Sequence, residues 1–196
     1  MRNEGVFSVT VKVGQNSTIA FMKNIELKVS VDGFEEIIRL LKKMGAHFKG
    51  TLQQVDTYYE VGGGRLKIRE INNRKFELIF YERPNKRGAR ISDYHLVAIR
   101  PKQLHSVKLI LQKTARKGVV VRKQRRLWLY ENTRIHLDKV RGLGPFLELE
   151  TAIKDGRLSQ AKQEFRRVSD FLGLSGFKRF GKSYSDMLAL KAKDRT

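Results

Sequence analysis

A chain of 196 residues with 40% hydrophobic content is long enough to bury a core and too apolar to be a disordered polyelectrolyte. Lys plus Arg total 41 against 20 Asp plus Glu, a net charge of +21, which points to a polyanionic partner: nucleic acid, an anionic membrane or a phosphate-rich small molecule. There is no cysteine, which excludes disulfides, thiolate metal sites and cysteine nucleophiles and suits a cytoplasmic location; no apolar run is long enough to span a bilayer, and the N-terminus lacks a signal peptide's apolar stretch.

In chain order, Val6 to Val13 reads as a strand and Gly14 to Thr18 as a loop, but the organised pattern begins at Met22. The expected division is therefore an N-terminal extension over residues 1–21, outside the native protein if Met22 is the natural start, and a single domain over 22–196. Mass spectrometry of the protein expressed from its native locus tests this, and an intact Met1 would end it. Ile25 to Val31 alternates as a strand. Asp32 and Glu35 mark a helix start, followed by Phe34, Ile37, Ile38, Leu41 and Met44 at helical spacing until Gly45.

Gln53 to Glu60 is rich in Val, Thr and Tyr and reads as a strand. Gly62 to Gly64 is a turn. Arg65–Ile71 and Lys75–Arg83 form a hairpin about Asn72-Asn73, since Asn tolerates the positive φ of tight turns. Pro84 to Gly88 is a loop and Ser92 to Ile99 a strand. Pro101 opens a helix faced by Leu104, Val107 and Leu111 and closed by Gly118. Val119–Tyr130 and Thr133–Val140 form a second hairpin about Glu131-Asn132. Arg141 to Pro145 turns into a strand over Phe146–Ile153. An amphipathic helix runs from Ser159 through Leu172, and a short last helix follows Ser183. About eight strands, mostly in hairpins with helices between them, predict an α+β fold: a closed eight-stranded antiparallel β-barrel with helices packed outside.

Charges recur two residues apart within these strands: Glu26-Leu-Lys28, Lys67-Ile-Arg69, Lys123-Gln-Arg125, Arg134-Ile-His-Leu-Asp138 and Glu148-Leu-Glu150. Residues two apart share a strand face. One such pair is ordinarily a solvated face. Five in one small barrel point instead to a lumen, with the apolar alternates packed under external helices. A lumen holding Lys28, Lys67, Arg69, Lys123, Arg125 and Arg134 repels itself by roughly 4 kcal/mol per close like-charge pair at an effective dielectric near 20. Glu26, Asp138, Glu148 and Glu150 offset part of this, and a bound polyanion such as a triphosphate is expected to offset the rest. Asp138, Glu148 and Glu150 are also hard oxygen ligands suited to Mg²⁺ or Mn²⁺; the competing reading makes them salt-bridge partners of the lumen cations.

These residues resemble the CYTH superfamily, the triphosphate tunnel metalloenzymes. Asn24-Ile-Glu-Leu-Lys28 is similar to the family's Glu-x-Glu-x-Lys strand, and Gln54-Val-Asp-Thr-Tyr58 to its second strand. Lys67-Ile-Arg69, Lys123-Gln-Arg125, Arg134-Ile-His-Leu-Asp138 and Gly142-Leu-Gly-Pro-Phe-Leu-Glu-Leu-Glu150 follow in the family's order. Glu77 to Pro84, Ser92-Asp-Tyr94 and Ser183-Tyr-Ser-Asp186 look most like the class IV adenylate cyclase branch. The resemblance spans about residues 22–190. It implies an eight-stranded tunnel, Mg²⁺ or Mn²⁺, and a triphosphorylated substrate such as ATP, thiamine triphosphate or inorganic tripolyphosphate. It further implies that Lys28, Lys67, Arg69, Lys123 and Arg125, with Arg83 and Arg134, hold phosphates, and that Glu26, Asp138, Glu148 and Glu150 hold metal. Asn24 departs from the family's first Glu and brings no charge.

Gly176 to Ser183 matches the P-loop spelling G-x-x-x-x-G-K-S. A P-loop follows a strand and opens a helix of a parallel sheet; this segment follows a helix, and Ser183 with Asp186 reads better as a helix cap. His47, His95 and His105 read as surface or structural residues and His136 as a hydrogen-bond partner of Asp138. Trp128, Tyr58 and Tyr130 read as packing residues rather than base-stacking ones. Three functions fit: a tunnel enzyme, cyclase or triphosphatase; a non-catalytic triphosphate or polyphosphate binder; and a nucleic-acid-binding barrel. Lys42, Lys43, Arg116, Lys117, Arg166, Arg167, Lys178, Arg179 and Lys191 fall outside the predicted lumen, as charge that steers anions or as a surface adapted to heat.

Overall fold

The computed structural model describes residues 9–12, 18–82 and 89–194. Its elements are β1 (Val9–Lys12), β2 (Thr18–Ser30), α1 (Glu35–Lys43), β3 (His47–Tyr59), β4 (Arg65–Ile71), β5 (Lys75–Glu82), β6 (Arg90–Ile99), α2 (Leu104–Thr114), β7 (Lys117–Tyr130), β8 (Thr133–Val140), β9 (Gly144–Ala152), α3 (Leu158–Phe171) and α4 (Tyr184–Lys193). All strand pairings are antiparallel, in the order β1-β2-β6-β5-β4-β3-β7-β8-β9.

The long β2 closes the sheet. Its first part pairs with β6, and residues Asn24 to Ser30 pair with β9, Glu26 opposite Glu150 and Lys28 opposite Glu148. Strands β2 to β9 thereby form the expected ring; β1 is an additional strand, paired only with the start of β2. Strand β2 begins at Thr18, four residues before the Met22 at which the sequence pattern becomes regular.

Alternation along the strands divides inside from outside. Ile25, Leu27, Val29, Ile135, Leu137, Leu147 and Leu149 face outward and are buried beneath Ile37 and Leu41 of α1 and Ala161, Phe165 and Val168 of α3. A smaller cluster, Tyr59, Ile68, Phe76 and Ile99, lies under Leu104, Val107 and Leu111 of α2. The third, Val121, Val140, Phe146 and Tyr184 with Met187 and Leu188, seats α4 against the barrel. Glu164 of α3 is buried and ties the β8 turn to the helix layer, accepting from Asn132 N and Nδ2 and from Thr133 Oγ1. A mid-helix carboxylate of this kind reads from sequence as solvated surface.

Local chemistry explains most boundaries. Asn72 and Asn73 both take positive φ, 51° and 53°, as the tight hairpin requires. Ser183 and Asp186 cap α4 reciprocally: Ser183 Oγ accepts from Asp186 N and Asp186 Oδ2 accepts from Ser183 N. The P-loop look-alike is no phosphate cradle on a parallel strand; Ser30 N donates to Lys178 O and Phe180 N to Lys28 O, so it runs beside β2. Three expectations shift. α1 begins after Phe34, without a side-chain cap from Asp32. α2 ends at Thr114, and Gly118 lies within β7. β3 begins at His47, because a bulge at Phe48–Gly50, with Gly50 at φ +132°, breaks the alternation yet keeps pairing to β7.

Candidate active site inside the barrel

The inward faces enclose a cavity of about 240 Å³ lined by Glu26, Lys28, Asp56, Lys67, Arg69, Lys123, Arg125, Arg134, His136, Glu148 and Glu150 among others. The two-apart charges therefore share one interior. Lys28 is 2% exposed, Arg125 4% and Asp138 0%, so these ions have left water and must be paired.

The pairing is a lattice. Arg125 forks onto Asp138 with Nε–Oδ1 and Nη2–Oδ2 at 2.6 Å each, and its Nη2 also reaches Glu148 Oε2 at 2.8 Å. Lys123 Nζ lies 3.1 Å from Asp138 Oδ2, and Lys28 Nζ 3.1 Å from Glu148 Oε1. Arg134 holds Glu150 at 3.0 Å. Across the lumen, Asp56 takes Lys67 at 2.9 Å and Arg69 at 2.8 and 3.1 Å. Tyr94 donates its hydroxyl to Glu26.

The start of α4 lines the cavity through Ser183 and Tyr184. Tyr184 donates to Asp138 Oδ2 at 3.2 Å, and Lys28 Nζ sits 3.7 Å above its ring. Lys28 also donates to Lys182 O, and Arg65 clamps Asp186 at 2.9 Å.

Burial penalises every one of these charges, yet the opposite charges win for the carboxylates. Arg69 and Lys67 overcome the burial of Asp56 and hold it well below the usual range. Arg125 and Lys123 do the same for Asp138, held at about 2. Lys28 and Arg125 keep Glu148 low, and His136 and Arg134 keep Glu150 at about 2, each against burial. Burial and then Arg125 push Lys123 down to about 8. The same two influences lower His136, and burial followed by Glu148 and Asp138 drives Tyr184 well up.

The predicted residues separate by geometry. Lys28, Lys67, Arg69, Lys123, Arg125 and Arg134 all reach the cavity; Arg83 lies outside the described residues. Glu148 and Glu150 converge with His136: one ligand atom from each lies within 4.8 Å of the others. Glu26 lines the same cavity beneath Tyr94. Asp138 lies outside that group and is bound by Arg125, Lys123 and Tyr184; Glu148 and Glu150 are ion-paired too, to Lys28 and Arg125 and to Arg134. His136 Nδ1 has no hydrogen-bond partner and faces Glu150 at 3.6 Å and Glu148 at 3.9 Å, not Asp138.

Sequence reasoning missed the roles of Asp56, Glu77, Gln54 and Tyr184, all buried on the cavity wall. Asp56 and Gln54 stand two apart in β3, but Gln54 is uncharged, so the charge spacing that marked the other strands is absent there; Glu77 stands two from Lys75 and carries it. Tyr58 also lines the cavity, its ring 5.3 Å from Lys67 Nζ, whereas Trp128 and Tyr130 pack in the outer core as expected. His47, His95 and His105 are exposed, as are the surplus basic residues of helices and loops.

Comparison with known proteins matches this arrangement to the CYTH domain over residues 22–184. The chain belongs to the CYTH family. It is 28% identical over 180 residues to a Methanocaldococcus jannaschii protein named "Putative adenylate cyclase", spanning 86% of this chain and all of that protein. A solved Pyrococcus horikoshii structure superposes with a TM-score of 0.67 at 25% identity, over 83% of this chain and 98% of the other. A Hippeastrum protein, described as a putative adenylyl cyclase with a dominant triphosphatase activity, superposes at 0.59 with 15% identity, over 88% and 96% of the two chains; at that identity the likeness shows the fold.

The CYTH family is metal-dependent, and the residues present fit a divalent cation. Two half-buried carboxylates and a buried imidazole nitrogen without a hydrogen bond offer ligand atoms within 4.8 Å of one another, a donor set of the kind divalent cations take. No helix among the described residues is long and apolar enough to cross a membrane.

Proposed function

We propose that this CYTH protein is a metal-dependent cytoplasmic enzyme of the adenylate cyclase type, converting ATP to cyclic AMP and pyrophosphate inside the barrel. The observation that carries the reading is the lumen itself: Lys28, Lys67, Arg69, Lys123 and Arg125 converge on one water-poor cavity from both walls. Bringing so many cations together costs stability, and a site for a polyanion is the use that offsets this.

Each cation keeps capacity for a phosphate. A guanidinium has five N–H donors and the Arg69 fork on Asp56 uses two; a lysine has three. Asp56 and Asp138 preorganise these groups, so little reorganisation is needed as charge develops on the transferring phosphorus and the leaving phosphates. Lys28 and Arg125 can exchange Glu148 for phosphate oxygens. Glu148, Glu150 and His136, with Glu26 nearby, would hold a divalent ion, which would supply Lewis acidity and charge neutralisation. Tyr184, lining the cavity against Lys28 and Asp138, adds an aromatic wall to the site.

Hydrolysis of thiamine triphosphate or tripolyphosphate is the second reading. What favours it is that the triphosphate clamp needs no nucleoside; Asn24, without charge where the family motif places a carboxylate, favours the non-catalytic binder instead. Incubation with ATP, thiamine triphosphate or tripolyphosphate and Mg²⁺ or Mn²⁺, followed by product chromatography, tests both. Cyclic AMP plus pyrophosphate supports the cyclase, orthophosphate the hydrolase. No turnover of any of the three, with tripolyphosphate still bound, overturns both in favour of a binder. Tight, salt-sensitive RNA or DNA binding that survives Lys28→Ala with Arg125→Ala favours a nucleic-acid-binding barrel instead.

A further inference from the structure

Two side chains at the cation site depart from an all-carboxylate arrangement, and together they define its ion preference. The first is Asn24. It is 1% exposed and lines the cavity. With its amide oriented to satisfy both neighbours, its oxygen accepts from Arg134 Nη2 at 3.1 Å and its nitrogen donates to Lys23 O at 3.3 Å. Asn24 is therefore committed to Arg134 and adds no negative charge.

The second is His136. It is 3% exposed, and its Nδ1 is buried with no hydrogen bond. An imidazole nitrogen shut away from water without a partner is costly, and such atoms in native proteins call for a reason. The separations to Glu150 Oε1 and Glu148 Oε2, 3.6 and 3.9 Å, are too long for hydrogen bonds. They suit three ligands disposed around one ion, because donors each about 2.1 Å from a metal lie roughly 3 to 4 Å apart. Register supports this placement: His136 is directly opposite Glu148 across β8 and β9, and Glu150 is the next inward residue.

We infer that His136 Nδ1 is a metal ligand, completing a nitrogen-plus-two-carboxylate set with Glu148 and Glu150 that selects Mn²⁺ over Mg²⁺. The inference rests on the metal dependence of the reading above but not on which substrate is turned over. Mg²⁺ is small, demands near-ideal octahedral oxygen coordination and holds its waters tightly. An imidazole nitrogen moves preference along the first-row series, where affinity for a mixed nitrogen and oxygen site rises from Mn²⁺ onward. The two carboxylates keep the site hard enough for Mn²⁺. Asn24 contributes to the same end by withholding the additional carboxylate that would favour Mg²⁺.

The test loads the purified full-length protein with Mn²⁺ alone, no nucleotide or phosphate present, and records electron spin echo modulation. The expected result is a directly coordinated ¹⁴N signal, with Mn²⁺ displaced only by a large excess of Mg²⁺. In His136→Gln the nitrogen signal disappears and Mn²⁺ affinity falls at least about tenfold, the lower end of what losing even an outer-shell metal partner costs, while Mg²⁺ affinity stays within about twofold. Bound Mn²⁺ without a nitrogen coupling in the wild type overturns the assignment, and so does failure of the wild type to bind Mn²⁺. The wild-type spectrum decides the ligand even if His136→Gln folds poorly. Asn24→Glu provides a second check, since it is expected to narrow the Mn²⁺ preference; an unchanged or wider preference counts against the selection argument. Because no substrate is present, absence of triphosphate turnover leaves these outcomes intact.

Discussion

The two walls of the barrel carry similar charge but are built differently. The wall of β7, β8, β9 and β2 presents Arg125, Asp138, His136, Glu148 and Glu150 inward and is backed by the large apolar cluster under α1 and α3. The wall of β3, β4, β5 and β6 presents Asp56, Lys67 and Arg69 among Tyr58, Tyr81 and Tyr94 and is backed by four buried apolar residues beneath α2. α2 has no buried residue of its own, and Leu109 and Ile110 are 43% and 59% exposed. The difference teaches that the deeper apolar backing lies behind the wall carrying His136, Glu148 and Glu150, the cation ligands proposed above, while the wall of Lys67 and Arg69, proposed to hold phosphate through long side chains, has the lighter backing.

Breaking the more deeply backed wall at its charge lattice should have the largest effect. Arg125→Ala strands Asp138 and Glu148 without their shared guanidinium; removing one partner of buried ion pairs costs about 3–5 kcal/mol, read as a lower urea midpoint. Lys67→Ala on the other wall should cost less, because Arg69 still forks onto Asp56. Equal losses would erase the distinction. Packing gives the next contrast. Leu147→Ala empties a fully buried position under the helices and should cost about 2–5 kcal/mol. Leu109→Ala on exposed α2 should stay within about 0.5 kcal/mol.

The titration of Lys123 sharpens the comparison further. Its value in the folded protein, about 8, lies below the ordinary lysine value of 10.5. Between these two values the unfolded chain holds more protons, so this group's contribution makes stability rise with pH across that window. Tripolyphosphate affinity measured calorimetrically should move the other way, falling as pH passes about 8, because the neutral amine no longer attracts the anion. An affinity flat from pH 7 to 9 would mean that Lys123 does not face the ligand. A local effect, well below that of Leu147→Ala, comes from Ser183→Ala, which removes the α4 cap and should cost about 1 kcal/mol, visible as a slightly lower thermal midpoint.

Much of the site is legible in the chain because strand alternation has a period of two whatever the surroundings. Lys28, Arg69, Arg125 and Glu148 announce themselves by standing two apart from another charge, and the barrel turns that period into an inside. Asp56 carries the same period but has uncharged residues, Gln54 and Tyr58, two places away, so its lumen position shows only once β3 is paired; Glu77 does stand two from a charge, Lys75, with which it pairs at 2.8 Å. Asp138 and Glu148 look alike in sequence. They differ because Asp138 faces Lys123 and Arg125 on β7 and Tyr184 from α4, whereas Glu148 sits within reach of His136 and Glu150.

The sequence by itself determined the hairpins, the outward apolar stripe and the population of charges on the inward stripe, since these depend on local turn chemistry and on alternation. Only the tertiary structure decided which carboxylate meets which cation, that Tyr184 reaches Asp138 and Lys28, and that His136 faces two glutamates. Those contacts join residues far apart in the chain, and their partners are chosen by strand register and ring closure, which no local pattern encodes.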